Sequence, residues 1–136
     1  LIDCPAGFGR EVMSFARPSD RVVVVSTPDH TSIRGAQRIG LLAAAGGQAD
    51  VRLVVNRVRA GMMEKGNAVN IDAAMDGAGL SLLGVVPEDK DVISCGNLGR
   101  VLVLFSHGYA RVAYANIARR LRGSRVRLLE GVKLRR

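Results

Sequence analysis

Val22-Val23-Val24-Val25-Ser26-Thr27-Pro28-Asp29 is an unbroken apolar run that stops at a turn-forming Thr-Pro-Asp. A strand with one wet face alternates apolar and polar residues. A continuous run followed by turn residues instead reads as a strand covered on both faces, as in a parallel sheet. Two further stretches repeat the pattern. Val51 to Val55 ends in Asn56-Arg57, and Leu82 to Val86 ends in Pro87-Glu88-Asp89. Leu1-Ile2, just before Asp3, reads as the tail of another strand, so an N-terminal portion with further strands is expected upstream.

Helical stretches separate these runs. Glu11 to Ala16 is short and Pro18 stops it. Thr31 to Ala45 carries Ile33, Ile39 and Leu42 at apolar positions, with Gly46-Gly47 as its stop. Ile71 to Ala78 follows Asn70, a residue suited to capping a helix. Strand and helix in alternation mean right-handed βαβ units, hence an α/β fold: a parallel sheet with helices on both faces. Further on, Lys90 to Ser94 reads as a short helix and Val101 to Phe105 as a strand or extended segment. His107 to Arg122 reads as a strong helix. Val112, Ala115 and Ala118, with Tyr114 and Leu121, are expected to face the sheet, and Arg111, Arg119, Arg120 and Arg122 the solvent.

The 136 residues suffice for one domain with a core, and with 4% aromatics that core must be aliphatic. Cys4 and Cys95 are too few for a disulfide framework, and with His30 and His107 they lack the close spacing of a metal site. No apolar run is long enough to span a bilayer, and no signal peptide is visible. The net charge of +8 is uneven: residues 1–110 hold 11 basic and 11 acidic side chains, residues 111–136 hold 9 basic and one acid, Glu130. A basic end suits an anionic partner, lipid or nucleic acid; its plainer reading is a solvated helix face and a loose tail. The chain therefore divides into residues 1–123, a domain, and 124–136, a basic and weakly amphipathic tail.

In an open parallel sheet, ligands bind beyond the carboxyl ends of the strands. The residues there are Asp3-Cys4-Pro5-Ala6-Gly7, Thr27-Pro28-Asp29, Asn56-Arg57 and Pro87-Glu88-Asp89. An acid at a strand end, such as Asp3, can hold a magnesium-bound water or orient an attacking one; it can equally cap a helix. Gly7 leaves its backbone N–H open to a phosphate, or simply makes a turn. The Asn56 amide matches the N6 donor and N7 acceptor of adenine, or closes its own strand by bonding the backbone. Pro87, Glu88 and Asp89 can wall a base, or start the next helix with Asp89 as cap.

In order and spacing, the strings IDCPAG (2–7), STPD (26–29), VVNRVR (54–59), LLGVVPEDKDVI (82–93), GNLGR (96–100) and YANIARRLRG (114–123) resemble the MinD family. That family belongs to the deviant Walker A ATPases, beside the ParA partition proteins, and the resemblance runs to about Gly123. It implies a P-loop NTPase-like fold, and ATP and Mg2+ as cofactors. It implies that Asp3 acts as the switch aspartate, reaching magnesium through water. It implies that Gly7 meets the γ-phosphate, that Asn56 recognises adenine, and that Pro87, Glu88 and Asp89 line the base pocket. It further implies an ATP-dependent homodimer and MinC-like and MinE-like regulators on the helix beginning at Thr31 to Arg38. The cellular role implied is cytoplasmic: an ATPase bound peripherally to the inner face of the membrane through 124–136, which positions the division septum.

Three departures qualify this. No G-x-x-x-x-G-K-[ST] loop occurs in the chain; the family carries it upstream, so the 136 residues alone are expected not to hydrolyse ATP. Ser32-Ile33-Arg34 is followed by Gly35, Ala36 and Gln37 where the family usually has acids. The tail is short, lacks Phe and Trp and is broken by Gly131, although Leu128, Leu129 and Val132 can share a helix face beside Arg125, Lys133, Arg135 and Arg136. Two other readings stay open: a ParA-like or flagellar-number-type ATPase whose basic end binds DNA, and a non-catalytic α/β binding module.

Overall fold

A computed structural model describes residues 1–4, 10–48, 50–59, 61–62 and 66–128. Val22–Ser26 (β1), Val51–Val58 (β2) and Ser81–Pro87 (β3) form a parallel sheet in the order β1-β2-β3. Val24 lies beside Leu53, and Leu53 beside Leu82. Consecutive order follows from the connections, each of which carries a helix back to the start of the next strand.

The helices are Arg10–Ala16 (α1), His30–Ala45 (α2), Ile71–Ala78 (α3), Lys90–Asn97 (α4), Leu102–Phe105 (α5) and Tyr109–Leu121 (α6). On one face α2 and α3 bury Ile33, Ala36, Ala74 and Ala78 against Val24, Leu53, Val55, Leu82 and Val85. On the other, α6 buries Ala110 and Ala113 against Val54, Leu83 and Val86. Both faces of β2 and β3 are therefore covered, which is why these strands carry no alternation. The expected α/β fold, parallel and with helices on both faces, is what the chain adopts.

Start and stop signals do what their chemistry dictates. Asn70 accepts from the Ala73 N–H at 2.8 Å and caps α3. Gly46 and Gly47 end α2, Gly47 with φ of 92°.

Four expectations need correction. Leu1-Ile2 is not a strand: both residues are exposed and irregular, and no described strand lies beside β1 on its free side to pair with them. Val101–Phe105 is not extended. Its last four residues form the turn of helix α5, where Leu102 tucks against the α6 core cluster; short apolar runs do not separate strand from helix. In α6 the buried residues are Ala110, Ala113 and Asn116, not Val112, Ala115 and Ala118. The helix sits close to β3, and small residues permit that. Arg120 is not a solvent-facing residue: its Nη1 donates to the Val126 carbonyl at 2.6 Å and its Nη2 to the Leu82 carbonyl at 3.3 Å.

β1 departs from the both-faces pattern. Val23 and Val25 are 38% and 62% exposed. They share the α6 side of the sheet, but α6 lies over β3 and does not reach them. After α6 the chain returns beneath the sheet: Val126 is buried and Leu128 packs against the α2–α3 side of the core. Leu129 and Val132 lie outside the described residues.

Candidate functional site

The carboxyl ends of all three strands open on one edge. A hollow of about 380 Å³ sits there, lined among others by Thr27, Asp29, Arg57, Arg59, Asn67 and Glu88. Each lining segment is held by local bonding. Asp29 caps α2, its Oδ1 accepting from the Ser32 N–H at 2.9 Å. The Thr27 hydroxyl bridges Asp29 Oδ2 and Ser32 Oγ at 2.5 and 2.8 Å. The Thr27 hydroxyl and then the Ser32 N–H hold the Asp29 carboxyl below the ordinary carboxylate value, against a smaller opposing effect of burial.

β2 is interrupted at the edge. Its register with β3 shifts between Val55 and Val58, so Asn56 and Arg57 form a bulge. Arg57 has φ of 58°, a left-handed conformation rare for a residue with a side chain. The Asn56 Oδ1 accepts from the Arg57 N–H at 2.9 Å, which supports that bend. Past the bulge, Arg57 Nη2 lies 3.4 Å from Glu88 Oε1, and Arg59 Nε pairs with Glu88 Oε2. Glu88 is thus gripped on both oxygens, while its N–H donates to the Val58 carbonyl at 3.0 Å.

Asp89 does a different job. Its Oδ1 accepts from the Asp91 N–H, capping α4, and its Oδ2 accepts from the Ala110 N–H at the start of α6. A side chain at Gly108 would strike this carboxylate, so glycine there allows the close approach. Pro87 ends β3 and is buried. The capping alternative for Asp89 and the strand-closing alternative for Asn56 are therefore both present in the structure.

Of the candidate residues, Asn56, Pro87, Glu88 and Asp89 stand together at this edge, with Glu88 lining the hollow. Asp3 lies in the exposed, irregular stretch Leu1 to Cys4. Gly7 lies outside the described residues. The sequence reading missed Arg57 and Arg59 as the partners of Glu88. The available signal was two arginines flanking one residue just beyond a strand, opposite an acid at the end of the next. Cys4 is exposed and Cys95 buried, both free, and among the described residues no group of three His, Cys, Asp or Glu converges as a metal site.

No family model matches the chain. Curated relatives do. A putative septum site-determining protein MinD from Mesostigma viride is 41% identical over 124 residues, 90% of this chain and 43% of that protein. The septum site-determining protein MinD of Bacillus subtilis is 38% identical over 129 residues, 94% of this chain and 48% of its own length. The chain is of the MinD type. It spans a little under half the length of these two MinD relatives. Among solved structures, the MinD cell division protein of Aquifex aeolicus superposes with a TM-score of 0.85 at 27% identity, covering 91% of this chain and 52% of that one. A MinC:MinD complex from the same organism matches at 0.78 and 28%, covering 82% and 46%. The MinD fold, P-loop NTPase-like α/β, is thus shared by the described sheet and helices.

Proposed function

We propose that this MinD-type chain supplies the adenine-facing edge and the switch loop of an ATP-hydrolysing protein that positions the division septum. The observation that supports it most is the hollow at the carboxyl edge, lined by Glu88 and by Arg57, the neighbour of Asn56 in the β2 bulge, within a chain about two-fifths identical to MinD proteins. A planar base suits such a hollow: Asn56 offers a donor beside an acceptor, matching adenine N6 and N7. Its Oδ1 now holds the Arg57 N–H, a bond that a base amino group can share or replace. Pro87, Glu88 and Asp89 border the base. Arg57 and Arg59 hold Glu88 in place and balance its charge beside an anionic nucleotide.

In this reading Asp3 acts at one remove, through a magnesium-bound water. Magnesium, when bound, would neutralise developing phosphate charge. Asp3 would orient a water, and Gly7 would offer its N–H to the terminal phosphate. The Walker loop that cradles phosphates is absent from these residues, so the 136-residue chain alone is expected to show no ATP turnover.

The assembly follows as part of the same reading. ATP favours a homodimer, and the dimer presents two copies of 124–136 to an anionic membrane surface, each weak alone. No described helix is long and apolar enough to cross a membrane. The contact in this reading is peripheral, on the cytoplasmic face, through 124–136. MinC-like and MinE-like regulators would meet the α2 region. The alternative, a ParA-like protein, is favoured only by the basic end, and predicts DNA binding stronger than liposome binding.

The discriminating experiment is Asn56→Ala in the full-length protein. Preference for ATP over GTP should fall about tenfold, as expected for losing one bidentate base contact. An unchanged ATP/GTP ratio would reject the base-reading role.

A further inference from the structure

The opposite edge of the sheet has its own chemistry. At the amino ends of the strands lies a second hollow, of about 230 Å³, lined by Arg21, Arg52, Leu82, Arg120, Ser124 and Arg125 among others. Four arginines line it. Asp50 is the one carboxylate paired with them among the described residues, taking Arg21 Nε on Oδ2 and Arg52 Nε on Oδ1, each at 2.5 Å. Four cations against one anion leave a local excess of three positive charges.

Arg21, Arg52 and Arg120 are held by side-chain bonds, and their donors are not exhausted. Arg21 spends Nε on Asp50 and Nη1 on the Leu121 carbonyl, at 3.3 Å. Arg52 spends Nε on the same carboxylate. Each guanidinium has five donors, so N–H groups remain on both. Arg120 is held by the Val126 and Leu82 carbonyls through Nη1 and Nη2, and its buried Nε has no hydrogen-bond partner. A buried charged donor without a partner is costly. The donors within reach of an anion in the hollow are those left on the partly exposed Arg21 and Arg52. The hollow far exceeds the roughly 30 Å³ that one water occupies in the liquid. Planar, pre-held guanidinium groups with free N–H edges are the arrangement that recognises phosphate oxygens.

We propose that this arginine pocket at the amino edge binds a phosphoryl group, from free phosphate or from an anionic lipid headgroup. The site is separate from the nucleotide edge. It is also distinct from binding by the tail as a whole, because Arg21 immediately precedes β1 and Arg52 lies in β2, both outside residues 124–136.

The test uses the 136-residue chain and three variants: Arg52→Gln and Arg125→Gln in the pocket, and Arg119→Gln as a control of equal charge on the exposed side of α6. Inorganic phosphate is titrated by calorimetry or amide chemical shifts. Co-sedimentation is measured with phosphatidylcholine vesicles, with and without phosphatidate. Arg52→Gln and Arg125→Gln should each weaken binding about three- to tenfold while Arg119→Gln leaves it unchanged, as expected for charge-assisted bonds at half-exposed groups. If that pattern holds for free phosphate, the ligand is a soluble phosphate; if only for phosphatidate vesicles, it is a headgroup. Equal loss in all three variants means general charge attraction and overturns the pocket, as does binding in neither assay. Arg125 makes no side-chain bond to the core, so its variant decides the matter even if Arg52→Gln unfolds.

Discussion

Gly84 shows how much one missing methyl group can decide. It sits in β3 beneath α6, and a Cβ there would overlap Ile117 Cγ1 and lie 2.7 Å from its Cδ1. Two branched side chains cannot share that space, so the helix axis depends on the glycine. Gly84→Ala should lower stability by about 1–3 kcal/mol through overpacking. Adding Ile117→Ala should return part of that loss, a non-additive pair measurable by urea unfolding. Additive losses would show that α6 is placed by something else. Glu88 was legible at this scale because residues after buried parallel strands meet at one edge, and Asn56 reaches the same edge from the bulge within β2. Arg57 and Arg59 were not. Their pairing with Glu88 depends on the bulge, and nothing in Asn56-Arg57-Val58-Arg59 announces a left-handed arginine.

Elements were read well where punctuation is strong and poorly where it is not. α3 was read with its bounds correct: Asn70 marked its start, and in the structure Gly79, with φ of 64°, ends it. α5 was mistaken for a strand because four apolar residues carry no period, and its N-cap, Val101, makes no capping bond. The face of α6 was misassigned because hydrophobicity favours Val112, whereas closeness to β3 selects Ala110 and Ala113. For α2 the capping chemistry yields a pH dependence. The Asp29 carboxyl is lowered from its ordinary value of 3.8, so the folded state prefers the charged form. That contribution is complete above the unfolded value, begins to fall as pH nears 3.8, and is gone below the lowered folded value. Asp50, lowered by Arg52 first and then by Arg21, adds to the loss in the same direction. Asp29→Asn keeps a cap but should flatten the acid limb of a thermal-melt-versus-pH curve, and Asp29→Ala should also cost about 1 kcal/mol at neutral pH. An acid limb unchanged in Asp29→Asn would refute the assignment.

For the whole molecule, the covered and uncovered parts of the sheet differ sharply. β2 and β3 are enclosed, while β1 has no described neighbour on its free side and shows Val23 and Val25 to solvent. An apolar edge of this kind invites pairing with another chain. The 136-residue chain at micromolar concentration should therefore elute as a mixture of sizes, and Val25→Lys should shift it towards monomer without lowering the melting temperature. A monomer before substitution would show that the edge is protected. β3 reaches from the arginine pocket at Leu82 to the nucleotide edge at Glu88. At about 3.3 Å per residue its ends lie about 20 Å apart. The Debye length in physiological salt is about 8 Å, so most of the field of the arginine cluster is screened before it reaches a nucleotide at the far edge. An anion at one end should therefore leave the salt dependence of binding at the other unchanged, and any signal between them must travel as a tilt of the strand.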